Sequence, residues 1–336
     1  MKRYAILFRP ETPNRDRTYK PDLGERKPVT VCVATLFHWN YASTGEAARF
    51  GVGGIAASDR MITAGDVKYE PHQLKFAEMT PRTIVLVAGD YAVHSQAIQN
   101  TVKMVKTSRD QSPENIARLY GKSIQAIKQR EAEDLYLAPL GMNSDTFVAQ
   151  QKDMTDGFIE RITSQLQSYE GEFVEALLIG SDTENAHLYS IDTRGIAHCM
   201  DDVGFAAIGI GAWHAKSRLM QMGYTNRSNL APALAATFSA KRAADVAPGV
   251  GETTDVRIVL KDGHFPLWDH VSSKMHDLYK HVADGVSELV VEAVKELDEF
   301  ITNPPAQEAA HDQPTGSATG NTQTDGGPSP AAPEDS

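Results

Sequence analysis

The chain is poor in cysteine, in long apolar runs and in positive charge. Only Cys32 and Cys199 occur in 336 residues. Two cysteines cannot build a disulfide framework, and these two lack the spacing of a zinc site. A reducing cytoplasm is the simplest setting for such a chain. The longest apolar runs, such as Thr83 to Ala88, are far too short to span a bilayer. The apolar stretch behind the basic N-terminus, Tyr4 to Phe8, is too short for the core of a secretory signal. No membrane partner is expected. The net charge is −11, from 33 Lys and Arg against 44 Asp and Glu. A protein that grips a phosphate backbone normally shows a basic face, so nucleic acid is not an expected partner either. The chain has no Walker motif, no dinucleotide fingerprint and no metal-ligand cluster. Neither a metal nor an organic cofactor is implied.

What is there is enough to fold. Hydrophobic residues make up 41% and charged residues 23%, which suits one large domain or two small ones. The charge is uneven. Residues 1–29 carry eight bases and four acids and are rich in Arg, Pro and Asp without a sustained period. They read as an N-terminal extension. From 302 onward the chain is Pro, Gly, Ser, Thr and Gln with acids and no Lys or Arg, and reads as a disordered acidic tail. One domain is expected between them, over 30–301.

Within that domain the pattern runs strands, helices, strands, helices. Thr30 to Leu36 alternates and is β-branched, so it reads as a strand. Phe37 to Phe50 reads as a polar and aromatic loop. Val52 to Ser58 reads as a buried strand, continued by Met61 to Thr63 past Asp59-Arg60. Leu74 to Met79 and Thr83 to Ala88 read as antiparallel strands joined at Thr80-Pro81-Arg82. Helices are expected from Asp90 to about Arg109, from Ser112-Pro113 onward with a Ser cap and Pro at the first helical position, and over 145–168. Strands return at Phe173 to Ile179, Ala186 to Ile191 and Phe205 to Ile208. Helices follow at about 212–223 and 229–246, then a strand at Asp255 to Leu260. A last helix from about Val271 to Ile301 places Met275, Leu278, Val282, Val286, Leu289, Ala293, Leu297 and Phe300 at steps of three or four. That stripe fits a helix lying over the core, or a coiled seam with another subunit. The fold class is α+β, with two antiparallel sheets covered by helices.

The residues that could carry chemistry are Thr30 at a strand start, Asp59 at the end of a second strand and Lys75 on a third. A hydroxyl is a poor nucleophile at neutral pH and needs a base and an orienting charge. Each residue alone has a plain structural reading: a strand former, a surface ion pair, a solvated edge. Cys32, two residues beyond Thr30 on the same strand face, reads as a small buried thiol. Asp201-Asp202 reads as a solvated turn, and Trp213 as a packed aromatic at a helix start.

Taken together the residues resemble a known family. Gly54-Ile55-Ala56-Ala57-Ser58-Asp59-Arg60-Met61-Ile62-Thr63 resembles the second-strand motif of proteasome β-type subunits. Lys75-Phe76 and Ile84 to Asp90 resemble the strands that follow it. The intervals 75 − 59 = 16 and 89 − 75 = 14 match those of the family. Phe205 to Ala212 and Thr254 to Val259 resemble later parts. The likeness covers about 30–265 and is greatest to bacterial proteasome-like proteins with an SDRM-T-AGD run, here Ser58 to Asp66, and an APGVG run, here Ala247 to Gly251.

The resemblance implies an N-terminal-nucleophile (Ntn) hydrolase with a four-layer αββα sandwich. It implies a threonine protease or amidase that cleaves peptide or amide bonds through an acyl-threonine ester. Thr30 would be the nucleophile and, through its own α-amino group, the base, since such an amine has a pKa of about 7.7–8.0. Lys75 would lower the amine and hydroxyl pKa values. Asp59 would orient Lys75, the Gly89 N–H would meet the oxyanion, and Thr63 would bind an extended peptide through its backbone. The family's habit is self-assembly, so a homo-oligomer is expected, a ring among its forms. An energy-dependent unfoldase partner has no signature here. The chain departs from the family in three places. Residues 37–50 lengthen the interval from Thr30 to Asp59, Ile210 stands where a Ser usually helps bind the amine, and the late Asp and Ser pair is missing, with Asp245 out of place. Thr30 also follows Val29. The expectation is that Thr30 becomes a terminus, with Val29 a misassigned start codon or 1–29 a propeptide. The alternatives are a catalytically inactive scaffold subunit and an amidase for a small molecule.

Overall fold

The computed structural model describes residues 30–41, 49–64, 67–69 and 75–302. The extension at 1–29 and the tail from 303 lie outside the described residues, as do Gly65 and Asp66. The chain divides into two compact units, Met1–Tyr279 and Lys280–Ser336.

The first unit is mixed α+β. It opens with β1 (Cys32–Tyr41), β2 (Arg49–Ser58), the short pair β3 (Ile62–Ala64) and β4 (Val67–Tyr69), then β5 (Phe76–Thr80) and β6 (Thr83–Gly89). Four helices follow: α1 (Tyr91–Thr107), α2 (Pro113–Tyr136), α3 (Ser144–Gln150) and α4 (Asp156–Gln167). Strands β7 (Val174–Ser181), β8 (Ala186–Ile191), β9 (Ala197–Cys199) and β10 (Phe205–Ile208) lead to α5 (Ala212–Gln221) and α6 (Leu230–Ala243). The chain then forms β11 (Asp255–Leu260), β12 (Gly263–Pro266) and α7 (Asp269–Thr302). Two antiparallel five-stranded sheets result, ordered β10-β1-β2-β11-β12 and β5-β6-β7-β8-β9.

Period-two alternation explains how both sheets are buried on two faces. Cys32, Ala34 and Leu36 of β1 join Ile84, Leu86 and Ala88 of β6 in one core between the sheets. The other face of β1 sends Val31 and Val33 toward Ala215, Leu219, Ala236 and Ala240 of α5 and α6. The other face of β6 sends Val85 and Val87 toward Ala97, Ile116, Tyr120 and Ile124 of α1 and α2. Each sheet therefore packs on its partner sheet and on a helix pair. The helices start where the sequence places caps. The Asp90 side chain accepts from Val93 N at 2.9 Å, and the Ser112 hydroxyl accepts from Asn115 N at 3.3 Å ahead of Pro113.

The structure corrects the reading in several places. The expected loop over 37–50 is largely a hairpin, with β1 and β2 paired from Cys32↔Ser58 out to Tyr41↔Arg49. Glycines make this possible. Gly51 and Gly53 lie opposite Trp39 and Phe37, and a Cβ at either position would run into the aromatic ring across the strand. The expected helix over 145–168 is two helices, α3 and α4, broken around Met154-Thr155, where the backbone is extended. The break lets Phe147 and Ile162 meet Leu137 in one small core. Lys75 lies in a bend just before β5 rather than on the strand. Strands β4, β9 and β12 were absent from the pattern, each being only three or four residues long. In α7, Val271, Met275 and Tyr279 pack beside Phe238 and Ile258. Val282, Val286, Leu289, Val290, Val291, Val294 and Leu297 are each more than half exposed.

Candidate active site

β1 and β2 bring Thr30 and Asp59 together. Thr30 lies two residues before β1 and Asp59 one residue after β2, and Cys32 pairs with Ser58. The two segments are tied reciprocally: Asp59 N donates to Val31 O at 3.3 Å, and Val31 N donates to Asp59 Oδ1 at 3.0 Å. The Thr30 hydroxyl donates to Asp59 Oδ1 at 2.6 Å. Lys75 Nζ approaches from the second sheet, 2.8 Å from Asp59 Oδ1, and also donates to Thr30 Oγ1. Met61 N and Gly251 N donate to Asp59 Oδ2 at 3.1 and 3.0 Å.

This is a buried charge cluster. Asp59 is fully buried and the Lys75 side chain is 10% exposed. A buried carboxylate is tolerated only when it is paired and hydrogen-bonded, and here a cation, a hydroxyl and three backbone N–H groups converge on it. A carboxylate offers about four lone-pair sites, so its accepting capacity is committed. The hydroxyl has two lone pairs, and Lys75 occupies one.

Two glycine-bearing segments shape the surroundings. Gly209 has φ +84°, and a Cβ there would strike the Thr30 carbonyl and lie 2.8 Å from Thr30 Cγ2. Gly211 N donates to Thr30 O at 3.3 Å. Ile210, between them, turns its side chain into the apolar layer with Val31 and Ala212. The Gly209 amide is held in turn by Glu175 Oε2 at 3.1 Å, a residue the sequence reading missed. Gly89 ends β6 with φ +114° and packs too closely on the Phe173 carbonyl to admit a side chain. Asp90 N donates to Phe173 O at 2.9 Å across β6 and β7. Val87, two residues before Gly89, accepts from Cys32 Sγ at 3.5 Å. The start of β1 thus meets the end of β6.

Of the residues expected to form the site, Thr30, Asp59 and Lys75 are in direct contact. Gly89 lies on the strand that touches β1. Thr63 lies in β3, paired with Lys68. Cys32 is fully buried, and desolvation pushes its thiol up to about 12, so it is no ready nucleophile. Asp245 is not at Thr30. It lies 2.9 Å from Lys241 and 2.8 Å from Arg242. Lys241, also unread in the sequence, is fully buried and donates to Gly251 O at 2.7 Å and Glu252 O at 3.1 Å. It therefore grips the segment whose Gly251 N–H holds Asp59. Asp201 and Asp202 lie in a turn, as expected, and the Asp201 carboxylate in addition pairs with His187 Nδ1 at 2.7 Å and accepts from Leu188 N at 2.8 Å. The reading of Trp213 as a packed aromatic needs correcting, since it is 83% exposed.

Among the described residues, no group of three or more His, Cys, Asp or Glu side chains could hold a metal ion, and no helix is long and apolar enough to cross a membrane. Two surface hollows, one along α4 and one between α2 and Tyr169, contain none of the site residues. No known protein-family model matches the chain, and no curated protein sequence matches it either.

Proposed function

We propose that the chain is a proteasome-like threonine hydrolase of the N-terminal-nucleophile class, with its sheets and helix pairs stacked as a four-layer αββα sandwich. The observation that carries this reading is the Thr30 hydroxyl held between Lys75 Nζ and Asp59 Oδ1. A threonine used only as a strand former has no need of a buried lysine–aspartate pair on its oxygen.

The chemistry requires Thr30 to be the first residue. The hydroxyl hydrogen turns from Asp59 Oδ1 to the free amine, which takes the proton, being far more basic than an amide nitrogen. Oγ1 attacks the carbonyl carbon of a peptide or other amide through the lone pair that Lys75 does not occupy. The Lys75 charge favours the developing alkoxide, and Asp59 keeps Lys75 in place. The carbonyl oxygen gains the negative charge and meets the Gly89 N–H. The amine returns the proton to the leaving nitrogen, the C–N bond breaks, and an acyl-threonine ester remains. Water, activated by the same amine, hydrolyses it. Thr63 contributes backbone groups for an extended substrate. No metal or organic cofactor enters this scheme. Self-assembly into a homo-oligomer, a cytoplasmic setting and an unfoldase partner belong to the same reading.

Thr30 is 3% exposed, and this favours a second reading: a silent assembly subunit in which the same contacts only clamp β1 to β2. A peptide epoxyketone, which needs both a hydroxyl and a free amine on one threonine, separates the two. The hydrolase reading expects an adduct on Thr30 that is lost in Thr30→Ala. A protein with Thr30 at its terminus and no adduct would favour the scaffold.

A further inference from the structure

Behind Gly89 lies a buried relay that the scheme above does not use. His94, on the first turn of α1, is fully buried. Its Nε2 is 3.0 Å from Ala88 O and its Nδ1 is 2.7 Å from the Tyr120 hydroxyl on α2. The proton positions follow from the partners. A carbonyl oxygen only accepts, so Nε2 carries the hydrogen. A neutral ring then leaves Nδ1 as an acceptor, and Tyr120 O–H must donate to it. Burial holds His94 down to about 4 and pushes the Tyr120 hydroxyl up, so both groups keep these roles near neutral pH. Tyr120 is fully buried, which gives the relay one geometry.

The amide that His94 grips joins Ala88 to Gly89. A trans amide is planar and points its N–H opposite its C=O. Fixing the Ala88 oxygen therefore fixes the direction of the Gly89 N–H. A hydrogen bond accepted at the oxygen also polarises the amide and strengthens its N–H as a donor, by roughly 10–30% per bond along a chain. Gly89 at φ +114° has no side chain with which to anchor this amide.

We infer that His94 and Tyr120 are positioning residues of the oxyanion site: Tyr120 O–H orients His94, and His94 Nε2–H holds the Ala88–Gly89 amide with its N–H aimed at the developing charge. The inference rests on the hydrolase reading. Its chemistry adds no proton transfer. It sets only the direction and strength of one donor that matters when the carbonyl oxygen becomes negative.

The test is Tyr120→Phe, which removes one oxygen and keeps the ring, with His94→Gln as the variant that preserves a donor and an acceptor. Losing an oxyanion donor outright lowers the rate by about 10²–10³. Loosening it through Tyr120→Phe should lower kcat on a fluorogenic peptide amide by about 10-fold, with KM changed less than about twofold. Affinity for a peptide aldehyde, whose adduct on Thr30 carries the tetrahedral oxygen, should fall by the same factor as kcat/KM. His94→Gln should keep more activity than His94→Leu. Separately, the Gly89 amide nitrogen and proton signals should shift in Tyr120→Phe by nuclear magnetic resonance, whether or not substrate is turned over. An active wild type with kcat and aldehyde affinity unaltered in Tyr120→Phe overturns the relay and leaves the hydrolase standing. A wild type with a free Thr30 terminus that cleaves nothing overturns the hydrolase reading and the relay's catalytic role together. An unmoved Gly89 signal overturns the relay's grip by itself.

Discussion

Two buried lysines flank Asp59, and their surroundings differ in kind. On one side Lys75 meets a carboxylate and a hydroxyl, Asp59 and Thr30. On the other side Lys241 meets two backbone carbonyls and a carboxylate, Gly251, Glu252 and Asp245. An ammonium has three donors, and three acceptors surround Lys241. Burial pushes Lys241 down and Asp245 up, against their mutual attraction. The difference teaches that burial of a lysine does not by itself mark chemistry. What marks it is a reactive oxygen among the acceptors. Lys241 builds the segment that holds Asp59, whereas Lys75 touches the group proposed to react.

The sharpest way to break this contrast is Lys75→Met. It should reduce peptide-amide turnover by about 10³-fold or more, as for other members of interdependent catalytic sets. It should also destabilise the fold by about 3–5 kcal/mol in a denaturant titration, because it strands the buried Asp59 charge. A variant that keeps its rate would place Lys75 beside Lys241 as a structural cation. Lys241→Met is the counterpart. A smaller loss of stability is expected, since two carbonyls lose their partner while Asp245 keeps Arg242, with a rate loss within about 10-fold in whatever remains folded. Adding Asp245→Leu should recover part of the stability, measured as a double-mutant cycle. If Lys241→Met removed activity as thoroughly as Lys75→Met, the two sides of Asp59 would not differ as described.

The smallest effect comes from a charged group on neither side. His187 sits between Asp201 and Asp182, at 2.7 and 3.1 Å. The hydrogen bond to Asp201, opposed by burial and aided by Asp182, raises His187 to about 9. Its folded pKa lies above the unfolded value, so its contribution is fully present below about pH 6.5 and is lost as pH rises through about 9. The difference in Tm between the wild type and His187→Gln should therefore shrink from pH 6 to pH 10, with kcat at pH 7.5 unchanged. A difference that grows with pH would reverse the assignment.

How much of this could be read in the chain depends on the reach of each interaction. The strand alternation around Cys32 and Ile84 and the cap at Ser112 are local, and they were legible. Asp59 and Lys75 were singled out because the interval between them matches that of the family the chain resembles. The hairpin over 37–50 was not, because its aromatic rings pack across the strand onto glycines, a pairing visible only in register. Glu175 and His94 carried no signal, since one acts across β7 to Gly209 and the other across a helix pair. Lys241 left a faint one: a lysine within the alanine-rich run from Ala231 to Ala244 belongs to a helix with little room for charge. Ile210 was read as a lost polar contact. Its packing with Val31 and Ala212 shows an apolar anchor for the Gly209 turn instead.

Everything proposed for Thr30 depends on a free amine at that residue. The direct measurement is the intact mass of the chain in the chromatographic fraction that hydrolyses a peptide amide. The account predicts a polypeptide that begins at Thr30 and gains one inhibitor adduct there as activity disappears. An active fraction whose chain still carries residues ahead of Thr30 would contradict it.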